Sequence, residues 1–180
     1  MLRHCVLTCV LVLVPVVASP EIEKVGQVCE KGICLAWWPK LEPLKGWHHD
    51  DGASWAIGAN VQVPDGFTFS NAETIIYAKA SYKPRIPETT TLEVLIRDDQ
   101  DDFLKHDPTV AITKVPSLKT SDGQALETYT FSPKGKGNWE EVSYGEEGEY
   151  YLIFTISSRT RAGFLATLRV YEQYITQYKE

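Results

Sequence analysis

The densest group of potential bases and ligands in the chain is His48-His49-Asp50-Asp51. Imidazole and carboxylate together suit first-row metals, but consecutive side chains rarely all converge on one ion. A metal site here would take His48 or His49 with Asp50 and borrow a further ligand from His106 or the aspartates at 98–102. The segment continues into Gly52-Ala53-Ser54-Trp55-Ala56, which approaches a nucleophile elbow with its last glycine replaced. An elbow needs a strand before its serine and a helix after it. The alternation downstream of Ser54 predicts a strand there instead, which removes the elbow. His48 or His49 then remains only as a local base for Ser54. No nucleophile–base set and no metal-ligand spacing stands out, so no catalytic residue and no cofactor is assigned.

Asp98-Asp99-Gln100-Asp101-Asp102 falls in the second half of a predicted helix, where carboxylates oppose the helix dipole. The run lacks the glycine that a calcium loop needs at its sixth position. It reads as a solvated face, or as a docking surface in which Asp98, Asp99, Asp101 and Asp102 meet a basic partner. Lys134-Gly135-Lys136-Gly137 is a basic hairpin loop without the phosphate-loop spacing. Arg159 and Arg161 precede the last helix, where an N-terminus favours anions. Trp37, Trp38 and Trp47 are the aromatic candidates for binding, by stacking or as hot spots. Trp37 and Trp38 are adjacent, so in extended backbone they point opposite ways: one anchors its segment and the other faces a ligand. Trp55 fits a core stripe.

Where these residues act follows from the first segment. Arg3 and His4 precede an apolar run from Val6 to Val17, and Val16-Val17-Ala18 offers a cut after Ala18. This is a signal-peptide pattern over residues 1–18, too short for a comfortable membrane span. Later stretches fall short of the ~18 apolar residues a spanning helix needs. Export to the periplasm or the extracellular space is expected. Of four cysteines, Cys29 and Cys34 follow the cut, and an oxidising compartment pairs them. Four residues separate them, where a redox pair has two, and a ring this small contributes about 2 kcal/mol. It is expected to pin an N-terminal arm without holding the core.

The chain has 180 residues, 43% hydrophobic and 23% charged, with net charge −6. That suits one globular core, argues against wholesale disorder, and disfavours nucleic acid as a partner. Residues 19–52 read as an irregular arm, with one short strand near Ile33–Trp38. The domain follows over 53–180. Trp55, Ile57, Ala59, Val61 and Val63 alternate, which predicts a half-buried strand ended by Pro64-Asp65-Gly66. Thr74–Lys83 forms a second strand, apolar on both faces through Ile75 and Tyr77. Thr90 and Glu93 have capping-box spacing ahead of the stripe Leu92, Leu95, Ile96 and Phe103, and Pro108 stops that helix. Strands follow at Thr109–Val115, Gln124–Phe131, Trp139–Tyr144 and Glu149–Ser158. The closing helix runs from Ala162 to Lys179 on Phe164, Leu168, Tyr171, Ile175 and Tyr178.

The expected fold is therefore α+β: an α/β/α sandwich in order β-β-α-β-β-β-β-α, mostly antiparallel, with a helix on each face of the sheet. This order resembles the PsbP-like fold, also seen in the DcrB-like group of small exported bacterial proteins. The likeness rests on Val-Gln-Val-Pro-Asp-Gly-Phe at 61–67, the middle helix, and the ending Tyr-Tyr-Leu-Ile-Phe-Thr-Ile-Ser-Ser, Arg-Thr-Arg and helix. It covers residues 54–180; the arm departs from it. The resemblance implies binding more than catalysis: an accessory protein of the envelope whose partner is another protein or a small ligand. The alternative is a metal-dependent or carbohydrate-directed activity of the 47–55 segment.

Overall fold

A computed structural model describes residues 22–30 and 32–179. The expected leader at 1–18 lies outside the described residues. Among the described residues, nine strands and three α-helices build an α+β fold. The arm is a hairpin of β1 (Ile22–Cys29) and β2 (Gly32–Pro39). The main sheet runs β3-β4-β5-β9-β8-β7-β6, antiparallel throughout, from β3 (Trp47–His49), β4 (Asn60–Pro64), β5 (Thr74–Tyr82), β6 (Ala111–Lys119), β7 (Ala125–Ser132), β8 (Trp139–Glu147) and β9 (Tyr150–Ser158). Helices α1 (Asp51–Ile57), α2 (Leu92–His106) and α3 (Arg161–Ile175) complete it. From Asn60 onward the order is the expected β-β-α-β-β-β-β-α.

One face of the sheet is filled by α3. Ile76, Ala78 and Ala80 of β5 and Leu152, Phe154 and Ile156 of β9 pack with Phe164, Tyr171, Tyr174, Ile175 and Tyr178. Each buried tyrosine hydroxyl finds an acceptor, as burial requires. Tyr171 donates to the Phe154 carbonyl at 2.8 Å, Tyr174 to Asn60 Oδ1 at 3.1 Å, and Tyr178 to Glu147. Gly163 allows the α3 start to sit on the strands: a Cβ there would lie 2.7 Å from Ser158 Oγ and 2.8 Å from Thr74 Oγ1.

The arm is more regular and more central than its composition suggests. Trp37 and Leu41 belong to the α3-side core, together with Ile22. Asn60 and Gln62 of β4 also face this side, and their amides donate to the carbonyls of Pro39 and Leu41 at 3.3 Å. Trp37 stacks on Tyr82 at 5.2 Å, and the Arg85 guanidinium lies 4.6 Å from its ring centre. Core residues therefore occur in the arm from Ile22 onward, and a boundary at 52/53 would cut α1.

The largest departure lies at 51–57, where a helix replaces the first half of the expected strand. Asp50 caps it, accepting from Ala53 N–H at 3.0 Å, and Gly58 closes it in the left-handed region at φ 66°. A good cap and a C-terminal glycine outweigh the period of two when Trp55 and Ile57 are the only strand signals in that half.

Candidate ligand groove

The second face of the sheet is covered in two pieces. Helix α1 packs beside β4, where Ala53 meets Ala59, Val61 and Val63. Helix α2 covers the other end, placing Ile96 and Phe103 on Phe131, Val142 and Tyr144. The strip of β5, β9 and β8 between the helices stays open. It holds a groove compartment of about 380 Å³, walled by Ile57, Ala59 and Phe69 and floored by Ile75, Tyr77, Lys79, Asn138, Glu140 and Ser157. Two further compartments continue it. One of about 350 Å³ shares Asn138 and Glu140 and runs under the 133–137 loop. The other, of about 300 Å³, shares Ile57 and Lys79 and ends at Trp37, Tyr82 and Arg85.

Strand alternation puts the polar groups on this floor. Glu140 is in phase with Val142 and Tyr144, so β8 turns a carboxyl toward the same side as its core residues. Glu140 pairs with Ser157 across the ladder, and Ser157 Oγ donates to its carboxylate at 2.6 Å. Asn138 Nδ2 donates to Ser157 Oγ at 2.9 Å and also supports Glu140. Burial is the largest influence on Glu140 and lifts its carboxyl to about 7; the Ser157 hydrogen bond opposes the rise and the nearby Asp99 charge adds to it. Asp99 is also raised by burial, against the Tyr144 hydroxyl that donates to it and the Lys79 charge. Burial raises Tyr77 strongly, with Glu140 contributing. A desolvated carboxyl at the floor of an apolar-walled groove fits a recognition site.

The acidic run divides accordingly. Asp98, Asp101 and Asp102 are exposed; Asp98 pairs with Arg97 at 3.2 Å and Asp102 with Lys105 at 2.7 Å. Asp99 alone turns inward, so the run is not one uniform face. Trp37 and Trp38 are both buried, with Trp38 edge-on to Trp55 at 5.7 Å, and Trp47 packs half-buried against the main cluster. This removes the pair at 37–38 as a platform: at this end of β2 both sides are covered, by the main core on one and by α1 on the other. Cys29 and Cys34 are disulfide-bonded near the hairpin tip, where Val28 and Ile33 are 91% and 73% exposed.

The 48–54 segment forms a serine–histidine–aspartate chain: His49 is the local base expected beside Ser54, and Asp51 is the partner that the sequence did not suggest. Ser54 Oγ and His49 Nε2 are 2.8 Å apart, and His49 Nδ1 lies 2.9 Å from Asp51. The expected strand at Ser54 is absent: β3 precedes and Ser54 lies inside α1, past the strand-to-helix turn on which an elbow holds its serine. Access fails as well. Ser54 is 1% exposed, and its oxygen already accepts the Val61 N–H at 2.9 Å. The chain fastens α1 to β3 and β4. His48 turns to Asp65 at 3.5 Å, and Asp50 spends its second oxygen on Phe69 N–H at 2.9 Å. Those two backbone donors hold the Asp50 carboxyl below its usual range. Among the described residues no group of three His, Cys, Asp or Glu comes together to hold a metal.

Lys79, Asn138, Glu140 and Ser157 are the floor residues that motif reading missed. A usable signal existed: Glu140 falls on the buried phase of its strand, and the strand at 74–83 is apolar on both faces. Comparison with protein-family models and with curated proteins finds no match to this chain.

Proposed function

We propose that the protein is a non-catalytic binding protein of an exported compartment, with its small-molecule seat in the groove between α1 and α2. The single observation behind this is the uncovered strip of β5, β9 and β8, a concave site of about 380 Å³ lined by Phe69, Ile75 and Tyr77 with Glu140 and Asn138 as its polar floor. Its size and mixed lining suit a small ligand. Export is supported by the leader pattern at 1–18 and by the Cys29–Cys34 disulfide. No helix among the described residues is long and apolar enough to cross a membrane. The resemblance to the PsbP-like group supports a binding role, since folds of this kind carry accessory and chaperone proteins.

Titration of isotopically labelled protein with a fragment set tests the reading. Amide shifts are expected at Ile75, Tyr77, Asn138 and Ser157, and Ile57→Trp, which fills the groove from its exposed wall, is expected to remove them. Shifts confined to other surfaces, or unchanged by the filling variant, would overturn it.

A further inference from the structure

The two raised carboxyls, Glu140 on the groove floor and Asp99 near it, are unevenly compensated, and this carries an inference that rests on the binding reading above. Asp99 has the Tyr144 hydroxyl and the Lys79 charge acting on it. Glu140 has only neutral donors, Ser157 and Asn138, and takes part in no ion pair among the described residues. The two sites are also separated along the sheet. Lys79 pairs with Ile153 and Glu140 with Ser157, four residues further along β9. At ~3.3 Å per residue that is about 13 Å of strand, and neither Lys79 nor Lys136, the lysines that border the groove with Glu140, forms an ion pair with it.

We propose that the groove takes a small organic amine with an apolar body, its ammonium seated on the Glu140 carboxylate and its body against Phe69, Ile75 and Tyr77. A half-buried carboxylate lacking a cation gains from a ligand that brings one, and a charge-assisted hydrogen bond is stronger than a neutral one. The aromatic rings of Phe69 and Tyr77 line the same compartment and attract a cation by their faces. An anion on the same seat would meet the Glu140 carboxylate, with the nearby Asp99 charge adding to it, and be repelled. A neutral isostere keeps the apolar contacts and gives up the ion pair. Burial holds the Glu140 carboxyl at about 7, so the carboxylate form dominates at pH 8.

The test compares three probes of one shape at pH 8: 2-phenylethylamine, 2-phenylethanol and 3-phenylpropanoate, titrated against the full chain with amide shifts as readout. The amine is expected to bind about tenfold tighter than the alcohol, with shifts at Tyr77, Asn138 and Ser157, and the carboxylate weakest. Glu140→Gln keeps the size and the hydrogen-bonding capacity of the side chain and should bring the amine down to the affinity of the alcohol. Equal binding of amine and alcohol in the groove would overturn the amine assignment and leave the groove as a neutral-ligand seat. Groove shifts from none of the three would overturn the amine and count against the groove itself. The wild-type comparison decides without the variant, should Glu140→Gln perturb folding.

Discussion

Tyr144 of β8 donates its hydroxyl to Asp99 of α2, and this bond ties the acidic run at 98–102 to the sheet. It holds α2 against the end of the sheet and fixes one wall of the groove. A double-mutant cycle of Tyr144→Phe and Asp99→Asn should show coupling of about 1.5–3 kcal/mol, the range for a hydrogen bond to an ionised group. Asp98→Asn and Asp101→Asn should stay within about 0.5 kcal/mol. Coupling near zero for the inner pair would mean that the tyrosine does not hold the helix.

Stability should fall as pH rises across the neutral range. Glu140 and Glu141, on opposite faces of β8, are both lifted from 4.5 to about 7, mainly by burial. A carboxyl raised in the folded state binds its proton more tightly there than in the unfolded chain. Its contribution is full below pH 4.5 and is lost as pH climbs through about 7. Each can remove at most about 1.4 kcal/mol per pH unit within that window. Urea unfolding at pH 5 and pH 8 should show the loss, and Glu140→Gln with Glu141→Gln should flatten it. A double variant with the wild-type pH slope would contradict the assignment.

The disulfide and Trp37 belong to one hairpin but carry different loads. The ring lies near the exposed tip, so the Cys29→Ser, Cys34→Ser variant should fold with a loss of about 2 kcal/mol or less. Trp37 lies in the core beneath Arg85, and Trp37→Ala should cost about 3–5 kcal/mol. Denaturant midpoints compare the two directly, and a disulfide loss exceeding the tryptophan loss would reverse this ranking.

Ser54 should behave as a fastening, not as a nucleophile. Ser54→Ala leaves the Val61 N–H and the His49 ring without their partner and should cost about 1–3 kcal/mol. A fluorophosphonate probe should leave the native protein unlabelled. Labelling at Ser54 that His49→Ala abolishes would show that the buried chain opens to substrates.

Most of the fold was readable from the sequence because its elements rest on strong local signals. The stripe of Phe164, Leu168, Tyr171, Ile175 and Tyr178 and the breaks at Asp122-Gly123 and Gly145 to Gly148 placed the later elements within a few residues. The arm was harder. Strands of the hairpin pair with each other, and it takes long-range contacts such as the stack of Trp37 on Tyr82 and the amides of Asn60 and Gln62 to show that the arm belongs to the core. The groove was harder still. Glu140 becomes special only when the gap between α1 and α2 opens above it, and that gap arises from how far each helix reaches across the sheet. Asp99 looks like its neighbours until α2 turns it toward Tyr144.

The central claim is that the open strip of β5, β9 and β8 receives a ligand, and a crystal soaked with a fragment set tests it most directly. Density for a fragment between Phe69 and Glu140, over Ile75 and Ser157, is the predicted result, with Ile57→Trp crystals showing none there. Fragments seen only elsewhere on the protein, with this strip empty in every soak of the wild type, would contradict the claim.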